Sequence, residues 1–420
     1  MITSRILGAG WLAALLAIAV CSPARGDTVT DWNVNAAGAL VGQSAPVTTI
    51  QLAIVHGAVY DAVNSIDDRH EPYLVKVRAR RWWSQDAAAA TAAYRVLSGL
   101  GGVPVAQQPL LATEYQTSLD AIPPGRARDG GVAVGEIAAA AMLAARAGDG
   151  RFPATPYRFP APATLADPWP VGQWRPVGSA TANDPSAWVK DVTPFLITDP
   201  GRFGSGGPNA LTSRRYAREF DEVKRVGALT SESRSIDQTD AARFWAEGPA
   251  IWTRATRQLA GARGLSVADS ARLFARLYLT GSDAAISCWQ DKARWLFWRP
   301  VTAIHEADRD GNPATAADPG WVPLINTPPY PDQPSGLACI SSAMAGALGG
   351  FFGTDRIAFS ERSRNSNTTR GFAGFSDAVQ EIVDARVWSG IHFRTADEDG
   401  ARIGTQVARY WERHAFEREN

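Results

Sequence analysis

The chain has 420 residues, of which 45% are hydrophobic, with 42 basic and 42 acidic side chains and only three cysteines. So even a balance, with no basic tract, excludes a nucleic-acid-binding surface built on net positive charge. Any charge that serves function must be local, and Ala- and Leu-rich stretches at helical period point to an all-α globule.

In chain order, residues 1–26 come first. They combine Arg5, an apolar run from Ile6 to Val20, and Ala24-Arg25-Gly26 before Asp27, the pattern of a cleaved signal peptide. The run is shorter than the ~20 apolar residues that a membrane span requires. Val20 before Cys21 speaks against lipoprotein processing, and no later segment reads as membrane-spanning. The expectation is a secreted or periplasmic protein with no integral membrane association after signal cleavage. Loss of Arg5 and Arg25 leaves a net charge of about −2.

Periodicity predicts helices over 48–63, 85–100 and 131–147, within an N-terminal helical half at 27–148. A Pro-, Gly- and Trp-rich loop follows at 149–208, long enough to wrap a bundle and shape an entrance. Its Trp169, Trp174 and Trp188 read as packing residues or as entrance lining. Further helices are predicted over 213–226, 237–260, 266–287, 338–352, 377–388 and 397–413, in a C-terminal half at 209–420. β-like alternation is scarce, so the expected architecture is two helical bundle halves joined by the long loop. Two patterns imitate function. Glu306-x-Asp308-x-Asp310-Gly311 resembles the start of a calcium loop, but its twelfth position is Ala317 rather than Glu, which leaves an exposed turn. His56 and Asp61, five residues apart, share a helical face poorly and read as structural.

The chemistry gathers in three segments: Lys292-x6-Arg299-Pro300, Pro334-Ser335-Gly336 and Arg386-x5-His392. On a single helix over 289–298, Lys292 and Arg299 would lie two turns apart on one face, with Pro300 ending it. A helix beginning at Ser335 would aim free backbone N–H groups and its positive dipole end at an anion. Arg386 falls late in an amphipathic stretch that Gly390 can end. Thr395-Ala396-Asp397-Glu398 reads as the capping box of the next helix. His392 is thereby expected in a tight corner between two helices. Taken singly these segments are ordinary: a solvated cationic face, a turn, a structural histidine. Together they supply three fixed cations, a hydroxyl and an imidazole, the donor mixture a tetrahedral oxyanion needs.

In this order and context the segments resemble the signature of the vanadium-dependent haloperoxidases and the related type 2 phosphatidic acid phosphatases. The surrounding stretches 53–64, 284–289, 297–304 and 310–315 look like the secreted bacterial haloperoxidase-like branch. The resemblance implies an all-α helical bundle of the haloperoxidase and acid phosphatase type. It implies vanadate as cofactor, with phosphate able to occupy the same place. Lys292, Arg299, Ser335, the Gly336 amide and Arg386 would hold the equatorial oxygens. His392 would be the axial ligand to vanadium, or the phosphoryl-accepting nucleophile of a phosphatase. The implied partners are small molecules: peroxide and halide, or a phosphoester.

Leu337 departs from the pattern, because the family carries an acid–base histidine directly after Pro-Ser-Gly. Proton transfer of that kind contributes about 10²–10⁴-fold in rate, so the expectation is an intact binding site with impaired turnover. Asp291 and His305 are the conceivable substitutes. Cys288 and Cys339, the two cysteines of the mature chain, adjoin the site segments as either a disulfide or two buried thiols. Three functions stay open: a vanadate-dependent haloperoxidase-like enzyme, an acid-phosphatase-like phosphomonoester hydrolase, and an oxyanion-binding relative without turnover.

Overall fold

The computed structural model describes residues 27–155, 157–159, 169–177 and 184–419, so the signal peptide read at 1–26 lies outside the described residues. The described chain is all-α apart from one short hairpin. Five helices precede the long loop: α1 (Thr28–Ala39), α2 (Ala45–Asp67), α3 (Gln85–Gly99), α4 (Gln108–Asp120) and α5 (Arg126–Ala145). After it come α6 (Arg214–Val226), α7 (Ile236–Trp245), α8 (Ala250–Ala262), α9 (Val267–Trp295), α10 (Pro300–His305) and α11 (Gly336–Phe352). The antiparallel strands β1 (Phe359–Arg362) and β2 (Thr369–Phe372) then lead to α12 (Phe375–Trp388) and α13 (Arg394–His414).

Two helices organise the core. Helices α2 and α9 are buried on nearly every face, as expected of helices without a continuous polar side. They pack against each other, α9 also packs on α11, and α11 packs on α13. One hydrophobic cluster therefore runs from Val29 in α1 to Trp411 in α13 and joins both halves of the sequence. Two glycines set the closest of these contacts. A Cβ on Gly400 would lie 2.5 Å from the Ser335 carbonyl, and one on Gly404 would lie 2.1 Å from the Cys339 carbonyl. Only their missing side chains let α13 reach the backbone that starts α11. No described helix is long and apolar enough to cross a membrane.

Several expectations need correction. The predicted helix over 237–260 is two helices, because Gly248, at φ +77°, and Pro249 separate α7 from α8. Helices α1, α4 and α10 and the hairpin β1–β2 were not predicted. The helix expected over 289–298 stops at Trp295, because Leu296 takes the left-handed conformation at φ 49°. Lys292 and Arg299 accordingly do not share a helix face. Arg299 is the N-cap residue of α10 and reaches the site from a separate element. The proposed capping box fails as well: α13 starts at Arg394 without a side-chain cap, and the Thr395 hydroxyl donates to Glu219 Oε1 at 2.6 Å. In the calcium-like turn, Asp308 is exposed but Asp310 is buried and accepts from the Asn312 N–H at 2.7 Å. Among the described residues no cluster of three or more His, Cys, Asp or Glu could hold a metal ion.

The other structural readings can be placed directly. Trp174 and Trp188 are buried core residues, and Trp169 is half-buried. Asp61 is structural, accepting the backbone N–H groups of Tyr73, Leu74 and Val75. His56 stacks against both Phe274 and Tyr278. Cys288 and Cys339 are both buried free thiols.

Candidate active site

Four elements bring the three motif segments together. The last turn of α9 carries Lys292, and the left-handed Leu296 reverses the chain behind it. The Trp174 N–H donates to the Leu296 carbonyl at 2.6 Å and fixes that reversal, so that Arg299 returns to the site at the start of α10. Ser335 is the N-cap of α11, and its N–H donates to the Ala396 carbonyl in the first turn of α13 at 2.8 Å. Arg386 sits in the last turn of α12. Gly390, at φ +79° and closely packed on Gly227, then turns the chain so that His392 lies in the corner before α13. The expected corner is thus present. All six motif residues, Lys292, Arg299, Ser335, Gly336, Arg386 and His392, are buried.

The hydrogen bonds show which donors are already committed. Lys292 Nζ donates to the carbonyls of Pro331 (2.7 Å), Asp332 (3.2 Å) and Pro334. Its ammonium therefore holds the 331–334 backbone in place and contributes charge from behind the cradle. Arg299 donates through Nε to the Tyr330 carbonyl (2.8 Å) and through Nη1 to the Ile391 carbonyl (2.5 Å). The same Nη1 lies 3.0 Å from His392 Nε2. Two buried donors of the cradle, Arg299 Nη2 and Arg386 Nε, are left without a partner, and the Ser335 hydroxyl faces the buried Asp397 carboxyl. Ser335 is notable because an N-cap serine ordinarily accepts an N–H of its own helix, and this one does not.

Electrostatics favour a neutral imidazole. Burial holds His392 well below the usual histidine range, and the charges of Arg299, Arg386 and Lys292 add to that effect. Burial also lowers Lys292 to about 8. Two carboxyls that the motifs did not reveal lie in the same cradle. Asp332 Oδ1 sits 2.8 Å from His392 Nδ1, outside aligned hydrogen-bond geometry, and 3.7 Å from Arg299 Nη1. Burial pushes Asp332 up to about 7, against the pull of Arg299 and Lys292. Asp397 is raised well above the carboxylate range by burial, opposed by the nearby Ser335 hydroxyl and Arg386. Neither carboxyl had a usable sequence signal: Asp332 stands in a Pro-rich loop, and Asp397 read as a helix-capping residue.

An open cavity of about 330 Å³ adjoins the cradle. Gly336, Leu337, Tyr330 and Arg386 line it, with Trp245, Trp289 and Ile340 among its other walls. Leu337 thus occupies the wall of the cavity and offers no titratable atom. The two conceivable substitutes are engaged elsewhere. His305 Nε2 lies 2.7 Å from the Trp321 carbonyl, and Asp291 accepts the Ser205 N–H at 2.8 Å and the Ser205 hydroxyl. Neither lines the cavity.

The donor set fits a tetrahedral oxyanion. A buried donor without an acceptor costs about 1–3 kcal/mol, and Arg299 Nη2 and Arg386 Nε, whose charges both act on His392, stand without one beside the N-terminus of α11. Asp332 and Asp397 oppose an anion only when ionised, and burial disfavours that form in both.

The fold and these donors define an all-α protein with a buried cradle suited to an oxyanion. Residues 272–418 match the family model described as the VCPO second helical-bundle domain. An alignment 187 positions long, taking in 36% of this chain, is 29% identical to vanadium chloroperoxidase of Curvularia inaequalis. That stretch spans 30% of the curated relative's length. Among solved structures, the first bacterial vanadium-dependent iodoperoxidase superposes with a TM-score of 0.79 at 21% identity, covering 94% of this chain and 98% of that one. A holo-type bacterial vanadium-dependent chloroperoxidase superposes with a TM-score of 0.67 at 17% identity and the same two coverages. The segment 272–418 thus matches the haloperoxidase domain model, and the described chain shares the fold of the bacterial vanadium haloperoxidases.

Proposed function

We propose that the protein is a vanadate-dependent haloperoxidase-like oxyanion binder whose proton transfer is impaired by Leu337. The observation that carries this reading is the pair of unpartnered buried donors, Arg299 Nη2 and Arg386 Nε, whose charges, with that of Lys292 and with burial, hold His392 neutral. With Lys292 and the Gly336 amide they would hold the oxygens of vanadate, or of phosphate in its place. The His392 ring would ligate the bound vanadium through a neutral ring nitrogen. When bound, vanadate would supply the Lewis acidity that activates hydrogen peroxide toward halide. The chain's own residues neutralise the anion's charge, orient it and exclude water on the buried side. Where the family carries an acid–base histidine, Leu337 neither gives nor takes a proton, so turnover is expected to be slow.

The same neutral imidazole favours a second reading, a phosphomonoester hydrolase in which His392 is the nucleophile. The apolar cavity wall at Leu337 favours a third, a relative that binds oxyanions without turnover. Export by cleavage of residues 1–26 completes the proposal, with the mature chain divided at 27–148, 149–208 and 209–420. Vanadate should raise the thermal stability of the mature protein, and His392→Ala should remove most of that shift. No shift in the native protein would rule out the oxyanion site. Bromide or iodide oxidation with peroxide, measured beside aryl phosphate hydrolysis, separates the first two readings. Activity that appears only in Leu337→His supports the third.

A further inference from the structure

Of the two acids in the cradle, Asp397 lies on the serine rather than on the histidine. It sits in the first turn of α13, fully buried, and neither of its carboxyl oxygens makes an aligned hydrogen bond. Its neighbour Ser335 is held against the same helix. The Ser335 N–H donates to the Ala396 carbonyl at 2.8 Å, and a Cβ on Gly400 would lie 2.5 Å from the Ser335 carbonyl. The Ser335 hydroxyl faces the carboxyl and caps no N–H of its own helix. Charged groups approach the pair from every side. Arg386 reaches in from α12, Arg299 from the start of α10, Asp332 from the 331–334 loop and Arg394 from α13 itself. Lys292 stands behind them, its ammonium on the carbonyls of Pro331, Asp332 and Pro334.

A buried carboxyl favours its neutral form, and here burial outweighs the pull of Arg386 and Arg394. An acid beside a hydroxyl can pass a proton, which Leu337 cannot. We propose that Asp397 and Ser335 form a two-member proton relay to the bound oxyanion, with Asp397 as a positioning residue that acts through the Ser335 hydroxyl. This rests on the reading of the cradle as an oxyanion site. In the protonated line Asp397 donates to Ser335 Oγ, and Ser335 donates to one oxygen of the anion. When that oxygen takes a proton, the Ser335 O–H bond breaks and the Asp397 proton makes the new O–H bond on Oγ. The carboxyl is left ionised beside Arg386, so one negative charge has moved from the anion to Asp397. The reverse holds on binding. The charge of an incoming anion raises the proton affinity of Asp397, so an oxyanion with no proton of its own enters together with one. The proton reaches the anion from the first turn of α13 and not from position 337.

The test uses sulfate, which carries no proton between pH 6 and 8, so that any proton gained by the complex is held by the protein. Calorimetry of the mature native protein in two buffers of different ionisation enthalpy counts those protons. Sulfate should bring in on the order of one proton at the upper end of this range, and its affinity should fall from pH 6 to 8. Asp397→Asn keeps the side chain's size, and its amide nitrogen donates to Ser335 Oγ at every pH, as the protonated acid does. This variant should bind sulfate within about threefold of the native protein at pH 6, with a fall to pH 8 at least about fivefold smaller. Asp332 and Lys292 titrate in both proteins, so the difference between them reports Asp397. Equal falls, with phosphate bound normally, give Asp397 a purely structural role, overturn the relay and leave the cradle standing. A fall that survives intact in Ser335→Ala shows the carboxyl acting by its charge alone, which also overturns the relay. Zero proton uptake by the native protein, or refusal of sulfate at pH 6 where phosphate binds, overturns it without any variant. If neither anion binds, the oxyanion reading itself fails.

Discussion

Ser335 occupies a capping position without capping its own helix, and its hydroxyl faces the buried Asp397 carboxyl. Replacing Ser335 with Ala removes that hydroxyl and leaves the carboxyl more poorly solvated. Without anion, Ser335→Ala should therefore lower the melting temperature slightly, and phosphate affinity should fall about tenfold through loss of one donor. A thermal melt with and without phosphate reads both effects, and a variant whose phosphate-induced shift equals the native one contradicts this role for Ser335. The motif residues were legible because fixed spacings of Lys, Arg, Ser and His are rare in combination. Asp332, Asp397 and Tyr330 were not legible. Their roles arise from elements distant in sequence that converge, and each alone reads as an ordinary loop or helix-start residue.

The helices that carry the site are held at unusual proximity by residues lacking side chains. Gly404→Ala would place a methyl group 2.1 Å from the Cys339 carbonyl and push α13 off α11. The expected cost is about 1–3 kcal/mol in urea unfolding, together with weaker phosphate binding, because Ser335 moves with that turn. Gly261→Ala in α8 meets nothing within 4 Å and serves as the control. It should be neutral or stabilise by about 0.4–1 kcal/mol. Helix existence was readable wherever apolar periodicity persisted, as in α2, α3, α5, α6, α9, α11, α12 and α13. Helix ends were not, since a leucine in the left-handed conformation stops α9 and no composition rule marks it. The short α10 lies below the length at which periodicity can speak.

At the scale of the whole chain, two buried carboxylates tie stability to pH. Burial raises Asp61 to about 7 and Asp283 to about 6, from an ordinary 3.8. Both accept three backbone N–H groups, which offset only part of that burial. Between about pH 4 and 7 the folded state therefore keeps protons that the unfolded chain has released, and stability falls as pH rises through that window. Asp61→Asn should lower stability overall, because two accepted N–H groups lose their oxygen, yet flatten the fall between pH 5 and 8 by on the order of 3 kcal/mol. Urea unfolding at the two pH values measures both changes, and an unchanged pH dependence would show that Asp61 ionises normally in the fold.

The packing of α2 along α9 has one further consequence. The segment 272–418 holds every residue of the cradle, yet the cavity beside it is closed in part by Ala45 and Pro46 at the start of α2. The two halves are thus complementary pieces, each presenting to the other a helix too apolar for water. A chain nicked between residues 160 and 168 should elute as one species in size exclusion and retain phosphate binding. Its C-terminal piece expressed alone should aggregate until the N-terminal piece is supplied.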